Sequence, residues 1–185
     1  MKTRDLIYCA LFAALTAIGA FIHFQFMHAT ITLQCFFTAM AGLLLGARLG
    51  ALSQALYVGL GLVGLPIFAA GGGFSYVFNP TFGFLLGLIS AAWVIGRLAE
   101  KNRTPLRLAL ACAAGFAVLY AIGLPYIALI VNVYNGGAVS AAKLATAYML
   151  PYLPGDAVKI VIAAGVCPIL RRRLKLADTS HKRGE

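Results

Sequence analysis

Charge is what this sequence has least of. Charged residues make up 11% of the 185-residue chain, and five of them are acidic, against about 25% charged in soluble domains. Combined with 62% hydrophobic residues, that scarcity excludes an ordinary water-soluble domain. The apolar runs are too long and continuous for a soluble core, and the length suits one compact unit. By composition the chain is an integral membrane protein. The four cysteines, Cys9, Cys35, Cys112 and Cys167, stand singly in apolar runs without metal-ligand or redox spacing, and read as small buried hydrophobes. No Ser/His/Asp set, phosphate loop or Walker-type sequence occurs, so the residues speak against an enzyme and against ATP hydrolysis by this chain. His23 and His28 have no carboxylate or thiol beside them in an expected loop over 23–28, so neither metal nor cofactor is expected.

Apolar runs divide the chain into spans. The first covers about 6–22 after Lys2 and Arg4; without a small-residue cleavage site before His23, it reads as a retained helix rather than a signal peptide. Its Ala10, Ala13, Ala14, Ala17 and Ala20 recur at three- and four-residue steps, and such small residues let another helix approach closely in lipid. The stripe serves either packing within the chain or docking to another subunit. The apolar stretch over 31–62 exceeds one span of about 20 residues. Gly46-Ala47-Arg48-Leu49-Gly50 divides it into spans of about 33–45 and 48–62, short enough to need tilt or local thinning of the bilayer. In the loop Val63–Asn79, Gly71-Gly72-Gly73 precedes Phe74, Tyr76 and Phe78 on alternate positions. That pattern suits an extended flap with one aromatic face, covering a pocket or anchoring at headgroup level. Asn79-Pro80 reads as cap and first residue of the span over 80–99. A charged loop, Glu100–Thr104, leads to a span over 106–131 that Pro125 is expected to kink. After a loop over 132–143, the last span covers about 152–170, followed by Arg171-Arg172-Arg173 and a polar tail from Lys175.

Six spans sort the basic residues. One side receives Lys2, Arg4, Arg48, Arg97, Lys101, Arg103, Arg107, the Arg171–Arg173 run and the tail, whereas the other receives Lys143 alone. This positive-inside bias puts both termini in the cytoplasm. It also accounts for the net charge of +10 without nucleic acid. The expected architecture is therefore an all-α, multi-pass membrane protein with six transmembrane helices.

Asp156 and Lys159 fall inside the last span, where each charge costs about 2.5–3.5 kcal/mol on insertion scales. Three apart, they share one helix face. They either neutralise each other or form a binding site. The topology brings the N-terminal ends of the second, fourth and sixth spans together at the outer face. Those ends carry Thr32 and Gln34, Asn79, and Asp156 with Lys159; Phe36, Tyr76, Phe78, Tyr126 and Tyr152 stand nearby in sequence. An apolar pocket with a few convergent polar groups is the usual form of a small-molecule site. Gln34, Tyr76, Asn79, Tyr126, Tyr152, Asp156 and Lys159 are the candidate lining.

The stretches Ile31-Thr32-Leu33-Gln34, the Gly-Leu-Pro-Ile-Phe run at 64–68, Gly71-Gly72-Gly73, Asn79-Pro80-Thr81-Phe82-Gly83 and Pro154-Gly155-Asp156-Ala157-Val158-Lys159 stand out together. In these the chain resembles the BioY family, the biotin-binding substrate-capture (S) components of energy-coupling-factor (ECF) transporters. The resemblance covers about residues 6–174 and implies the S-component fold in a prokaryotic cell membrane. It implies that Asn79, Asp156 and Lys159 bind substrate. It further implies that the pairs Ala10/Ala14 and Ala13/Ala17 dock on a transmembrane coupling subunit, which works with ATPase subunits. The chemistry is compatible: Asp156 can accept a ureido N–H, Asn79 can bond the same ring, and Lys159 can reach the ureido carbonyl or the carboxylate. An S component for another small vitamin and an intramembrane enzyme are the alternatives.

Overall fold

The structure, a computed structural model, describes residues 3–26, 29–100 and 104–173. Met27 and His28, most of the charged loop after Glu100, and the tail from Lys175 lie outside the described residues. Helix α1 (Thr3–Phe21) turns Cys9, Phe12, Ala13, Thr16, Gly19 and Ala20 inward and packs on α2 (Gln34–Leu62). The alanine stripe is thereby divided. Ala13 and Ala20 are buried, Ala17 is half-buried, and Ala10 and Ala14 face outward.

Although α2 is continuous by its hydrogen bonds, Gly46 interrupts it at φ 82°, ψ 179°, a left-handed backbone that glycine adopts without steric cost. The two halves, 34–45 and 47–62, fold back on each other. A Cβ on Gly50 would lie 3.0 Å from Gly42 Cα. Thr38 donates to Gln54 at 3.0 Å, and Gln34 to Tyr57 at 2.8 Å. In a straight helix residues 38 and 54 would be about 24 Å apart. Among the described residues five helices are long and apolar enough to cross a membrane, and α2, broken at Gly46, supplies two spans.

Helices α3 (Phe82–Ala99) and α4 (Pro105–Leu129) pack in sequence against α2 and each other, and α6 (Leu153–Arg173) closes onto α2 and α4. Between α1 and the α2 hairpin lies a buried polar knot. Gln54 Nε2 donates to Thr16 and Ser53, both at 3.2 Å, while Thr38 donates to Gln54 Oε1. Side-chain hydrogen bonds of this kind hold membrane helices together where no hydrophobic effect is available.

The structure corrects several expectations. The segment expected as a loop after α1 forms an antiparallel hairpin of β1 (His23–Phe26) and β2 (Ala29–Thr32), with His23 opposite Thr32. Phe, Ile and Thr favour strands, and pairing satisfies the backbone at the membrane edge. Asn79 closes the 3-10 helix before it and does not directly precede α3, whose N-cap position is Thr81. Asn79 Oδ1 accepts from the Thr81 amide (3.0 Å) and hydroxyl (2.8 Å), and α3 begins at Phe82. This local Asx-type turn competes with capping. Phe74–Phe78 is a 3-10 helix rather than an extended flap, so Tyr76 points inward while Phe74 and Phe78 point out. Helix α4 continues through Pro125 to Leu129 and passes into a π-helical turn over Ile130–Tyr134. Part of the connection to the last span is helical. In α5 (Ala141–Tyr148) the Ser140 hydroxyl accepts from the Lys143 amide.

Candidate ligand-binding site

Where β2, the loop over 63–79 and the N-terminal ends of α3 and α6 meet, they enclose a cavity of about 400 Å3, within the roughly 300–1,000 Å3 range of small-molecule pockets. Thr32, Gln34 and Cys35 form one wall; Ala69, Ala70, Tyr76 and Asn79 form another. Leu85, Leu88 and Leu119 make an apolar part of the lining, and Tyr148 and Tyr152 come from the segment before α6.

Asp156 and Lys159 face this cavity from the first two turns of α6. They are 5% and 7% exposed. Lys159 Nζ donates to Asp156 Oδ1 at 2.9 Å, and the Tyr120 hydroxyl donates to Oδ2 at 2.6 Å. The ion pair therefore forms, and both of its partners also line the cavity. Mutual neutralisation makes two buried charges tolerable, and the pair still lines the cavity. Lys159 retains two N–H groups beyond the one given to Asp156, and each carboxylate oxygen retains a lone pair.

Of the expected lining, Gln34, Tyr76, Asn79, Tyr152, Asp156 and Lys159 come together and Tyr126 does not. The Tyr126 hydroxyl donates to the Val77 carbonyl, and its ring packs on Phe82 at 5.9 Å. Tyr126 braces the cavity-lining segment from behind. Gln34 is committed within the wall: it accepts from Thr32 at 3.1 Å and donates to Tyr57, whose hydroxyl bonds the Ile67 carbonyl at 3.0 Å. That chain of bonds pins the start of the loop to α2.

Sequence reasoning missed Tyr120, Tyr148, Cys35, Thr81 and Phe84 in the lining. For Tyr120 there was a signal. A tyrosine in mid-span has a hydroxyl that needs a partner, and Asp156 was the acid available within a span. Among the described residues no group of His, Cys, Asp and Glu could hold a metal ion.

A sequence model of the BioY family matches residues 1–176. The chain belongs to the BioY family. Among its relatives, the "Probable biotin transporter BioY" of Lysinibacillus sphaericus is 45% identical over 135 residues, 72% of this chain and 69% of that one. The "Biotin transporter BioY" of Thermotoga maritima is 35% identical over 170 residues, 91% and 96% of the two chains. The crystal structure of the S-component for biotin from an ECF-type ABC transporter superposes with a TM-score of 0.79 at 22% identity, covering 93% of this chain and 95% of that one. This BioY-family chain therefore has the S-component fold and is a multi-pass membrane protein. Its cavity and its outward-facing Ala10 and Ala14 lie on different parts of that fold, the first among α2, α3, α4 and α6, the second on the outer face of α1.

Proposed function

We propose that this chain captures biotin at the outer face of the cell membrane, as the S component of an ECF-type transporter. A transmembrane coupling subunit and ATPase subunits would supply the energy. The observation that carries the reading is the buried Asp156–Lys159 pair opening onto a cavity that is otherwise largely apolar, in a chain whose relatives are named biotin transporters.

The donor and acceptor pattern suits a cyclic urea attached to an apolar ring. Asp156 can accept a ureido N–H with charge assistance. Asn79 Oδ1 is already engaged by Thr81, which leaves its amide N–H groups for a carbonyl. Lys159 can add a donor to the ureido carbonyl or meet the carboxylate. Leu85, Leu88 and Leu119 offer apolar surface to the thioether ring and chain. Biotin has about 16 heavy atoms, so nanomolar binding requires roughly 0.8 kcal/mol per atom, inside the usual range of about 0.3–1.5. The work is binding and delivery rather than bond chemistry.

The test is calorimetry on detergent-purified protein, with mass spectrometry of any ligand carried through purification. Biotin retained at one per chain, and displaced by added biotin but by no other vitamin, is the expected result. Tight binding of a different vitamin in place of biotin would overturn the assignment.

A further inference from the structure

The polarity of one cavity wall is set by a residue that lies behind it. Tyr57 is fully buried, is not part of the lining, and stands edge-on to Phe68. Its hydroxyl meets the Ile67 carbonyl at 3.0 Å and Gln34 Nε2 at 2.8 Å. A backbone carbonyl only accepts, so the single phenolic proton is spent on Ile67, and the same oxygen can only accept from Gln34. Gln34 must therefore turn its NH2 to Tyr57 and its Oε1 the other way. There Thr32 Oγ1, 3.1 Å off, spends its own single proton on Oε1. Thr32 and Gln34 both line the cavity. At their contact, only lone pairs remain for a ligand. This acceptor edge stands beside the start of α6: a Cβ on Gly155, next to Asp156, would lie 3.1 Å from the Ile31 side chain.

We propose that Tyr57 is a positioning residue: it holds the Thr32–Gln34 edge as acceptor-only, so that the site demands a second N–H from its ligand besides the one taken by Asp156. The inference rests on the biotin reading. A cyclic urea carries an N–H on each side of its carbonyl, and biotin with its carboxylate ionised has no other donors. A glutamine amide free to flip would present oxygen or NH2 as the ligand required, and would select neither. Tied through Tyr57 to a backbone carbonyl, Gln34 cannot flip without facing its oxygen to another acceptor. A ligand that brings an acceptor to this edge leaves two acceptors face to face with no proton between them. Sites built around a ligand N–H reject analogues that lack it for this reason.

The experiment is calorimetry with biotin and its two cyclic carbamate analogues, in each of which a ring oxygen replaces one ureido N–H. Wild type should prefer biotin over either carbamate by about tenfold or more, because each lost N–H faces an acceptor. Tyr57→Phe frees Gln34 to turn its NH2 inward. It should cut one of the two preferences to about threefold or less and leave the other, governed by Asp156, unchanged. Gln34→Met releases the Thr32 proton and should cut the same preference. Adding Tyr57→Phe to Gln34→Met should cut it no further, since Tyr57 acts through Gln34. A cooperative thermal transition certifies that each variant is folded. Should Tyr57→Phe fail that check, Gln34→Met leaves the Tyr57–Ile67 bond whole, and an unchanged preference in it overturns the proposal by itself. Equal loss of affinity for all three ligands in Tyr57→Phe would make Tyr57 a structural prop and overturn it. So would wild type that binds both carbamates as tightly as biotin. Either result leaves biotin capture standing, whereas wild type that binds no biotin would sink that reading and this inference together.

Discussion

Asp156 holds two partners at once, and each can be removed alone. Asp156→Asn keeps the shape but strips the anion from Lys159. Calorimetry should show biotin binding weakened by about 2–5 kcal/mol, the range for truncating one partner of a buried charged pair. Affinity equal to wild type would take Asp156 out of the site. Tyr120→Phe removes the 2.6 Å bond to Oδ2 and leaves the ion pair. A hydrogen bond to a charged group contributes about 1.5–3 kcal/mol, so a loss of roughly tenfold or more in affinity is expected. In a double-mutant cycle the two changes should be clearly non-additive, because they act on one network. Additive effects would mean that Tyr120 acts on the ligand independently of the carboxylate. At this scale the charged pair was legible from its improbable place in a lipid-facing run. Tyr120 left only the weaker signal of a mid-span hydroxyl in need of a partner, since no spacing puts position 120 opposite 156. The same lack of tertiary information let Tyr126 pass for a wall residue.

Two elements carry predictions of their own. On α1, Ala14 faces outward while Ala13 is 4% exposed. Ala14→Trp should reduce cellular uptake while leaving biotin binding by the isolated subunit near wild type. Ala13→Trp should instead lower stability by about 1–3 kcal/mol, as overpacking does. Equal loss of uptake and binding in Ala14→Trp would make the outer face internal packing as well. Spacing located the alanines but could not say which of them face inward, since three- and four-residue steps spread over more than one side of a helix.

The loop over 63–79 is the second such element. Its glycines are less free than their run of three suggested. Gly71 and Gly73 hold φ of 117° and 100°; a Cβ on Gly72 would stand 2.1 Å from the Leu65 carbonyl oxygen. Phe68 is fully buried against Tyr57 and Tyr76, and the Gly73 amide bonds Gly61 at 2.7 Å. Hydrogen exchange should therefore show the Phe68 region protected with or without biotin. Protection gained on binding is expected around Ala69–Ala70 and Tyr76–Asn79, which line the cavity. No change anywhere in the loop would mark it as a static wall. Gly72→Ala is expected to disturb folding, so it cannot serve as a simple stiffening probe.

For the molecule as a whole, the spans and the break at Gly46 were legible because lipid demands long apolar runs and charge punctuates them. Less legible were the short pieces at the outer rim: the hairpin before α2, the 3-10 helix and α5. These are only a few residues long, and tertiary contact rather than periodicity decides their form. The polar knot around Gln54 was likewise out of reach, because it joins residues far apart in sequence. Gln54→Leu should lower thermal stability in detergent by about 1–2 kcal/mol, near the upper end for interhelical hydrogen bonds in membranes. Biotin affinity should remain unchanged, since Gln54 is absent from the cavity lining. A loss of affinity with no loss of stability would make the knot a relay to the site instead of a fastener.

The one-residue turn at Gly46 also governs how this protein enters the bilayer as it is synthesised. Taken singly, the half over 34–45 would carry Gln34 and Thr38 into hydrocarbon, and the half over 47–62 would carry Gln54 and Tyr57. Each half is only about 18 Å or about 24 Å long, against a hydrocarbon core of about 30 Å. Side by side, the same four residues bond one another. The two halves are therefore expected to leave the translocon as a pair, with α1 joining them through the bond between Thr16 and Gln54. The first durable object on the ribosome's schedule is thus a three-segment N-terminal unit. It is expected to be in place before the rest of the cavity lining, Asp156 and Lys159 included, has been made.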